Sequence, residues 1–184
     1  MARAFVSVLA GLIVLGAAGV VSAGVPDPDE SMVTVGTDGG LVTCPAGDGP
    51  AYEYVTVTAK RSDSTPIEGI PYDSIFFTVT GGDVAILHVD AETDENGEIR
   101  YTVVGNETII GSITVEAQIY TVSLNDSDTI DCNSFDINDD GTVGVQDATL
   151  FVADYNSAAQ RSDFNWDGQV GVQDATLFVA HYNH

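Results

Sequence analysis

Cationic side chains are scarce in this sequence. Lysine and arginine together number 5 in 184 residues, against 28 aspartates and glutamates, for a formal net charge of −23 at pH 7. Arg3 belongs to an N-terminal apolar segment, so Lys60, Arg61, Arg100 and Arg161 are the basic residues left to the rest of the chain. That argues against a nucleic-acid partner, because phosphates are held by clustered Lys and Arg. It argues equally against charge-driven adsorption to anionic lipid. Histidine is also scarce: His88, His181 and His184. A hydrolase needs a nucleophile beside a base, or paired carboxylates in a cleft. His88 stands among polar neighbours in an alternating segment and reads as an exposed strand histidine. His181 replaces an aspartate of an internal repeat, which reads as drift. No catalytic residue is assigned, and the chain reads as a non-enzyme.

Long apolar runs are limited to one. Phe5 to Val21 follows the positive Arg3 and ends in the small residues Val21-Ser22-Ala23. This reads as a secretory signal over residues 1–23, cleaved after Ala23. The other reading is a retained anchor, since the run approaches the ~18 residues that span a bilayer. Gly11, Gly16 and Gly19 favour cleavage. With the signal removed, no membrane span is expected and the protein is placed outside the cell or at its surface. The acidity then serves solubility.

Residues 24–50 carry Pro26, Pro28, Pro45 and Pro50 among Gly and Asp, which predicts an irregular lead-in. Gly47-Asp48-Gly49 reads as a turn. From 51 to 124 the apolar period becomes two. Val55, Val57 and Ala59 alternate with Thr56, Thr58 and Lys60; Ile75, Phe77 and Val79 with Phe76, Thr78 and Thr80; Ala85, Leu87 and Val89 with Ile86, His88 and Asp90. Ile99, Tyr101 and Val103 follow the turn signal Glu95-Asn96-Gly97, and Ile113, Val115, Ala117 and Ile119 close the set. Short strands between turn residues predict a β-sandwich. The stretches Val55–Ala59, Glu68-Gly-Ile-Pro71, Phe77–Gly82 and Thr93–Ile99 resemble a bacterial immunoglobulin-like domain of invasin-type adhesins. The resemblance implies a spacer or adhesive module. Residues 125–135, with the polar Asn125-Asp-Ser-Asp128, read as a linker. Cys44 and Cys132 are the two cysteines and flank the β region. In a secreted chain they are expected to form a disulfide, worth on the order of 4 kcal/mol by loop closure.

The most informative stretch is a unit written twice. Residues 136–156 return 27 positions later as 163–183, with 17 of 21 positions identical. The exceptions are Ile137/Phe164, Asp139/Trp166, Thr142/Gln169 and Asp154/His181. Each copy reads D-x-N-x-D-G-x-x-x-x-x-D. A hard cation such as calcium takes six to eight oxygens, and a loop supplies them from positions 1, 3, 5, the carbonyl of 7, and 12. Those positions are Asp136, Asn138, Asp140, Thr142 and Asp147, then Asp163, Asn165, Asp167, Gln169 and Asp174. Gly141 and Gly168 fall at position 6, where the loop turns sharply. Two calcium ions are expected. After each loop, Ala148, Phe151, Val152 and Tyr155, and again Ala175, Phe178, Val179 and Tyr182, fall at helical spacing on one apolar stripe.

Position 12 is Asp in both loops, where an EF-hand prefers Glu, and no helix-forming run precedes Asp136. A duplicated loop-then-helix of this kind resembles the dockerin module, over residues 136–184, of type I-like pattern. The resemblance implies docking to a cohesin-type partner on a scaffold or surface protein. Loop positions 10 and 11, which touch cohesin in many dockerins, are here Val145-Gln146 and Val172-Gln173. The expected fold class is therefore a mainly β immunoglobulin-like sandwich followed by a small α calcium-binding module. The expected function is a secreted, non-catalytic docking protein. Two other readings stand beside it. In one, the chain is a subunit of an extracellular fibre or surface layer, whose repeat binds the β domain of another copy of itself. In the other, the β domain binds carbohydrate and the repeat anchors it.

Overall fold

The structure, a computed structural model, describes residues 24–36, 39–50 and 52–183. The expected signal segment at 1–23 lies outside the described residues. No helix among them is long and apolar enough to cross a membrane.

Among the described residues eight strands run in chain order: β1 (Met32–Val35), β2 (Leu41–Thr43), β3 (Tyr52–Thr58), β4 (Ile75–Thr80), β5 (Val84–His88), β6 (Glu98–Gly105), β7 (Gly111–Ile119) and β8 (Val122–Ser134). They form two four-stranded sheets of order β1-β3-β6-β5 and β2-β8-β7-β4. All four strands of the first sheet and three consecutive strands of the second, β4-β7-β8, reproduce the immunoglobulin pairing, A-B-E-D facing C-F-G. β2 adds a parallel partner to the last strand. The alternation expected for β3, β6 and β7 points inward: Val55, Val57, Ile99, Tyr101, Val103, Ile113, Val115 and Ile119 are buried in one core.

Several local expectations change. The lead-in is not irregular, because it supplies β1 and β2, one edge strand to each sheet. Strands of four and three residues leave almost no periodicity to read among prolines and glycines. The expected linker at 125–135 is instead most of β8. Its acids bond to backbone: Asp126 Oδ2 accepts from the Val33 amide at 3.2 Å and Asp128 Oδ2 from the Val35 amide at 2.9 Å. The polar run thus satisfies the open edge of β1, a place where unpaired amides would otherwise invite association. In β5 the phase is reversed. Register pairs Ile86 with the inward Val103, so Ile86 packs against the core while Leu87 and Val89 are exposed.

The expected disulfide does not form; Cys44 and Cys132 are both buried free thiols. The register gives the reason. Leu41 is the residue paired with Cys132, and Cys44 lies three residues further on, about 10 Å at strand rise. That exceeds the ~7 Å Cα separation a bridge can span. The two side chains also serve different cores: Cys132 packs inside the sandwich and Cys44 in a second cluster beneath the repeat. Burial pushes both thiols up to about 11.

The repeat supplies helices α1 (Val145–Asp154) and α2 (Val172–Ala180). Their second core joins Phe151, Phe164, Phe178, Ile137, Val143 and Val170 to Val42, Cys44 and Phe135 of the sandwich end. Phe135 lies 4.7 Å from the Phe164 ring and stacks on His181 at 4.2 Å. The His181 ring is therefore held against the end of the sandwich.

Candidate metal centre

The first loop begins one residue past Phe135, so β8 delivers Asp136 directly. Asp136 is fully buried. Its Oδ1 accepts from the Asp140 amide at 3.1 Å and its Oδ2 from the Gly141 amide at 2.8 Å. Asn138 Oδ1 also accepts from the Asp140 amide, at 3.2 Å. Asp147, at position 12, is fully buried and spans the loop. One of its oxygens accepts from the Asn138 amide at 3.0 Å and the other from Gly144, the N-cap of α1, at 2.8 Å. Asp147 thus joins loop closure to helix initiation, a carboxylate at the positive end of the helix.

The second loop repeats these bonds almost atom for atom. Asp163 accepts from the Asp167 amide at 3.1 Å and Gly168 at 2.8 Å; Asp174 accepts from Asn165 at 3.0 Å and Gly171 at 2.7 Å. Gly141 and Gly168 have φ of +87° and +88°, and a Cβ at either would meet open space. Backbone conformation, not a clash, makes glycine suitable there. Position 4 is also left-handed in both copies, Asp139 at +59° and Trp166 at +57°. The position-7 residues Thr142 and Gln169 are exposed on the loop rim.

Charge is concentrated inside the first loop. One carboxylate oxygen from each of Asp136, Asp140 and Asp147 lies within 4.8 Å of the others. Oxygens bound to one calcium at 2.3–2.6 Å can be no more than about 5 Å apart, so this set fits a hard cation. Neither ion pair formed among the described residues, Arg100–Asp90 and Arg161–Asp154, involves a loop carboxylate. Burial, and then the charges of Asp174 and Asp167, hold the Asp163 carboxyl above its usual range. The Asn138 amide and the Thr142 hydroxyl hold Asp140 below it.

The expected partner-facing residues divide. Val145 and Val172 are each 71% exposed at the first turns of α1 and α2. Gln146 and Gln173 turn back to the loops, where each accepts from the side-chain amide of Asn138 or Asn165, at 3.0 and 2.6 Å. Val152 and Val179, one heptad on from the first valines, are 72% and 70% exposed. Between the helices lies a groove of about 960 Å³, lined by Phe151, Val152, Tyr155 and their counterparts Phe178, Val179 and Tyr182. Phe151 and Phe178 stack at its floor, 5.2 Å apart and 10° from parallel.

Of the residues that seat the repeat on the sandwich, Trp166 is marked in the sequence as an aromatic side chain inside an acidic loop, whereas Asn133 and Thr108 carry no local signal of their contacts. Asn133 of β8 donates through its side chain to the carbonyls of Gln160 and Asp163, at 2.5 and 2.9 Å. Trp166 packs over the backbone at Gly39 and Gly40, and a Cβ on Gly40 would come within 2.4 Å of its ring. Thr108 donates to Asp136 at 3.0 Å.

Fold and loops together define an immunoglobulin-like sandwich fused to a duplicated acidic loop–helix unit. No known family model matches the chain, and no curated protein does. Among solved structures it is similar to invasin, a bacterial integrin-binding protein, at 22% identity and TM-score 0.46, over 60% of this chain and 20% of that one. It is also similar to the Escherichia coli adhesin FdeC, at 18% identity and TM-score 0.44, over 60% of this chain and 32% of that one. A third is the Yersinia pseudotuberculosis adhesin InvE, at 17% identity and TM-score 0.41, over 57% and 26%. The chain spans a third or less of the length of each.

Proposed function

We propose that this chain is a non-catalytic extracellular docking protein whose C-terminal repeat binds two calcium ions and engages a cohesin-type partner through α1 and α2. The observation that carries the reading is the convergence of Asp136, Asp140 and Asp147 within 4.8 Å, with two of the three fully buried. Buried carboxylates this close repel one another and need a counter-charge. A divalent ion supplies it, and Asp163, Asp167 and Asp174 would serve the second loop likewise. Asp147 and Asp174 also start the helices, so the ion would stiffen the surface that docks.

That surface is the exposed valine set Val145, Val152, Val172 and Val179 with the groove between the helices, present twice in near-identical form. Exposed apolar area of this kind, close to residues that order on metal binding, suits a metal-dependent interface. The glutamines take the role of loop supports. The test is binding to immobilised cohesin domains in calcium and in chelator. Capture in calcium, lost in chelator and lost on Val152→Asp with Val179→Asp, is expected. No capture in either condition would overturn the docking reading.

A second reading has one observation in its favour. Phe76 and Leu87, 55% and 53% exposed, lie on the edge strands β4 and β5 at the open side of the sandwich. They offer a second copy an apolar surface away from the repeat. Light scattering that rises with concentration in calcium, with no other protein present, would favour this fibre-forming assembly.

A further inference from the structure

The two loops share their internal bonds and differ in what surrounds them. Asp136 Oδ2 accepts from the Gly141 amide at 2.8 Å and also from Thr108 Oγ1 at 3.0 Å. Both lone pairs of that oxygen are thereby used. Oδ1 holds one bond, from the Asp140 amide, and keeps one lone pair free. In the second loop, among the described residues, the Asp163 carboxylate accepts from the Asp167 and Gly168 amides and from no side chain. Either of its oxygens keeps a free site.

Thr108 is not a loose surface hydroxyl. It lies between β6 and β7, next to the buried Ile109, whose amide donates to Thr43 Oγ1 at 2.9 Å. The Thr43 carbonyl accepts from the Phe135 amide at 3.1 Å and from Ser134 Oγ at 3.2 Å. Ser134 Oγ in turn accepts from the Asp136 amide at 3.2 Å. One network therefore holds the β6–β7 connection, β2 and the start of the first loop. Its far end is the carboxylate at position 1.

We propose that Thr108 is a positioning residue for the first cation loop, fixing Asp136 so that Oδ1 alone faces the ion. The sandwich thereby makes the two sites unequal. The first loop binds calcium more tightly than the second, and calcium there rigidifies the β6–β7 connection. Side chains that orient a ligand from behind typically change metal affinity ~10-fold or more when removed. The inference rests on the calcium reading above, and it concerns a residue outside the repeat.

The test is calcium titration of the full chain by calorimetry, in two backgrounds. In Asp174→Asn, which weakens the second loop, Thr108→Val is expected to lower calcium affinity ~10-fold, while Thr108→Ser keeps the parent value. In Asp147→Asn, which weakens the first loop, Thr108→Val is expected to change nothing. Hydrogen exchange provides a second readout: amides of residues 106–111 should gain protection with calcium in the Asp174→Asn chain and not in the Asp147→Asn chain. Valine matches threonine in shape, and circular dichroism checks that each variant is folded. Equal affinity for Thr108→Val and its parent would overturn the inference alone. So would equal loss in the serine and valine variants, which would assign the effect to packing. A parent chain that takes no calcium would overturn the calcium reading and this inference together.

Discussion

The two copies of the repeat offer an internal comparison. Their loops hold the same bonds from the same positions, and their helices bury the same phenylalanine. They part where the sandwich touches them. Phe164 packs against Phe135 where the first copy has Ile137, Trp166 covers Gly39 and Gly40 where it has Asp139, and His181 stacks on Phe135 where it has Asp154. Asp154 instead binds Arg161 and Ser162 within the repeat. Loop chemistry constrains a residue through its neighbours in sequence, whereas the junction constrains it through residues far away. A duplicated unit on one side of an asymmetric body can keep the first kind of constraint in both copies, but not the second.

The largest break in this comparison should come from Phe135→Ala. Phe135 is fully buried, and loss of a buried phenyl ring costs about 3–5 kcal/mol. The second copy should loosen first, because Phe164 and His181 both rest on that ring. Thermal unfolding followed by helical circular dichroism would show the loss. Next comes an exchange of the position-4 residues. Trp166 holds a left-handed φ, unusual for a bulky side chain, and its packing on the glycines offsets that strain. Trp166→Asp should cost about 2 kcal/mol through lost burial. Asp139→Trp, at an exposed site, should gain nothing in return. Equal effects in the two copies would contradict the assigned junction.

A smaller effect is expected from the ion pair confined to the first copy. The Arg161 guanidinium, with the Ser162 hydroxyl behind it, holds the Asp154 carboxyl below its usual value. A depressed folded value means the contribution is present above the unfolded pKa of about 4 and is lost as pH falls through the lower folded value. Arg161→Ala should therefore cost about 1 kcal/mol or less near neutral pH, a difference that vanishes in acid. Denaturant melts at the two pH values would measure it. Smallest of all is the effect of reductant. With Cys44 and Cys132 unbridged, reductant should leave the melting temperature unchanged. Both thiols should label quickly only after denaturation. Protection from labelling in denaturant would restore the disulfide.

The legible parts of the molecule were those whose cause is local. Donor spacing from Asp136 to Asp147, glycine at the left-handed turn and the apolar stripe Ala148–Tyr155 act within one loop or one helix. The inward alternation of β6 and β7 acts within one strand. The remainder depends on contacts that no short window contains. β1 is a strand because it pairs with β3, and the apparent linker is β8 because it pairs with β7; Asp126 and Asp128 then satisfy the outer amides of β1. The phase of β5 is set by Val103 across the sheet, not by its own pattern. Cysteine spacing suggested a bridge, but a parallel register three residues out of step separates the pair. Thr108 reaches the first loop from 28 residues away, and no local pattern marks that contact.

The central claim is that each acidic loop holds one calcium ion through its own carboxylates. Native mass spectrometry of the chelator-stripped full chain, returned to micromolar calcium, counts the ions directly. Two bound ions are predicted for the parent, one for Asp147→Asn, one for Asp174→Asn and none for the double variant. A parent that carries no calcium, or a double variant that still carries two ions, would contradict the account.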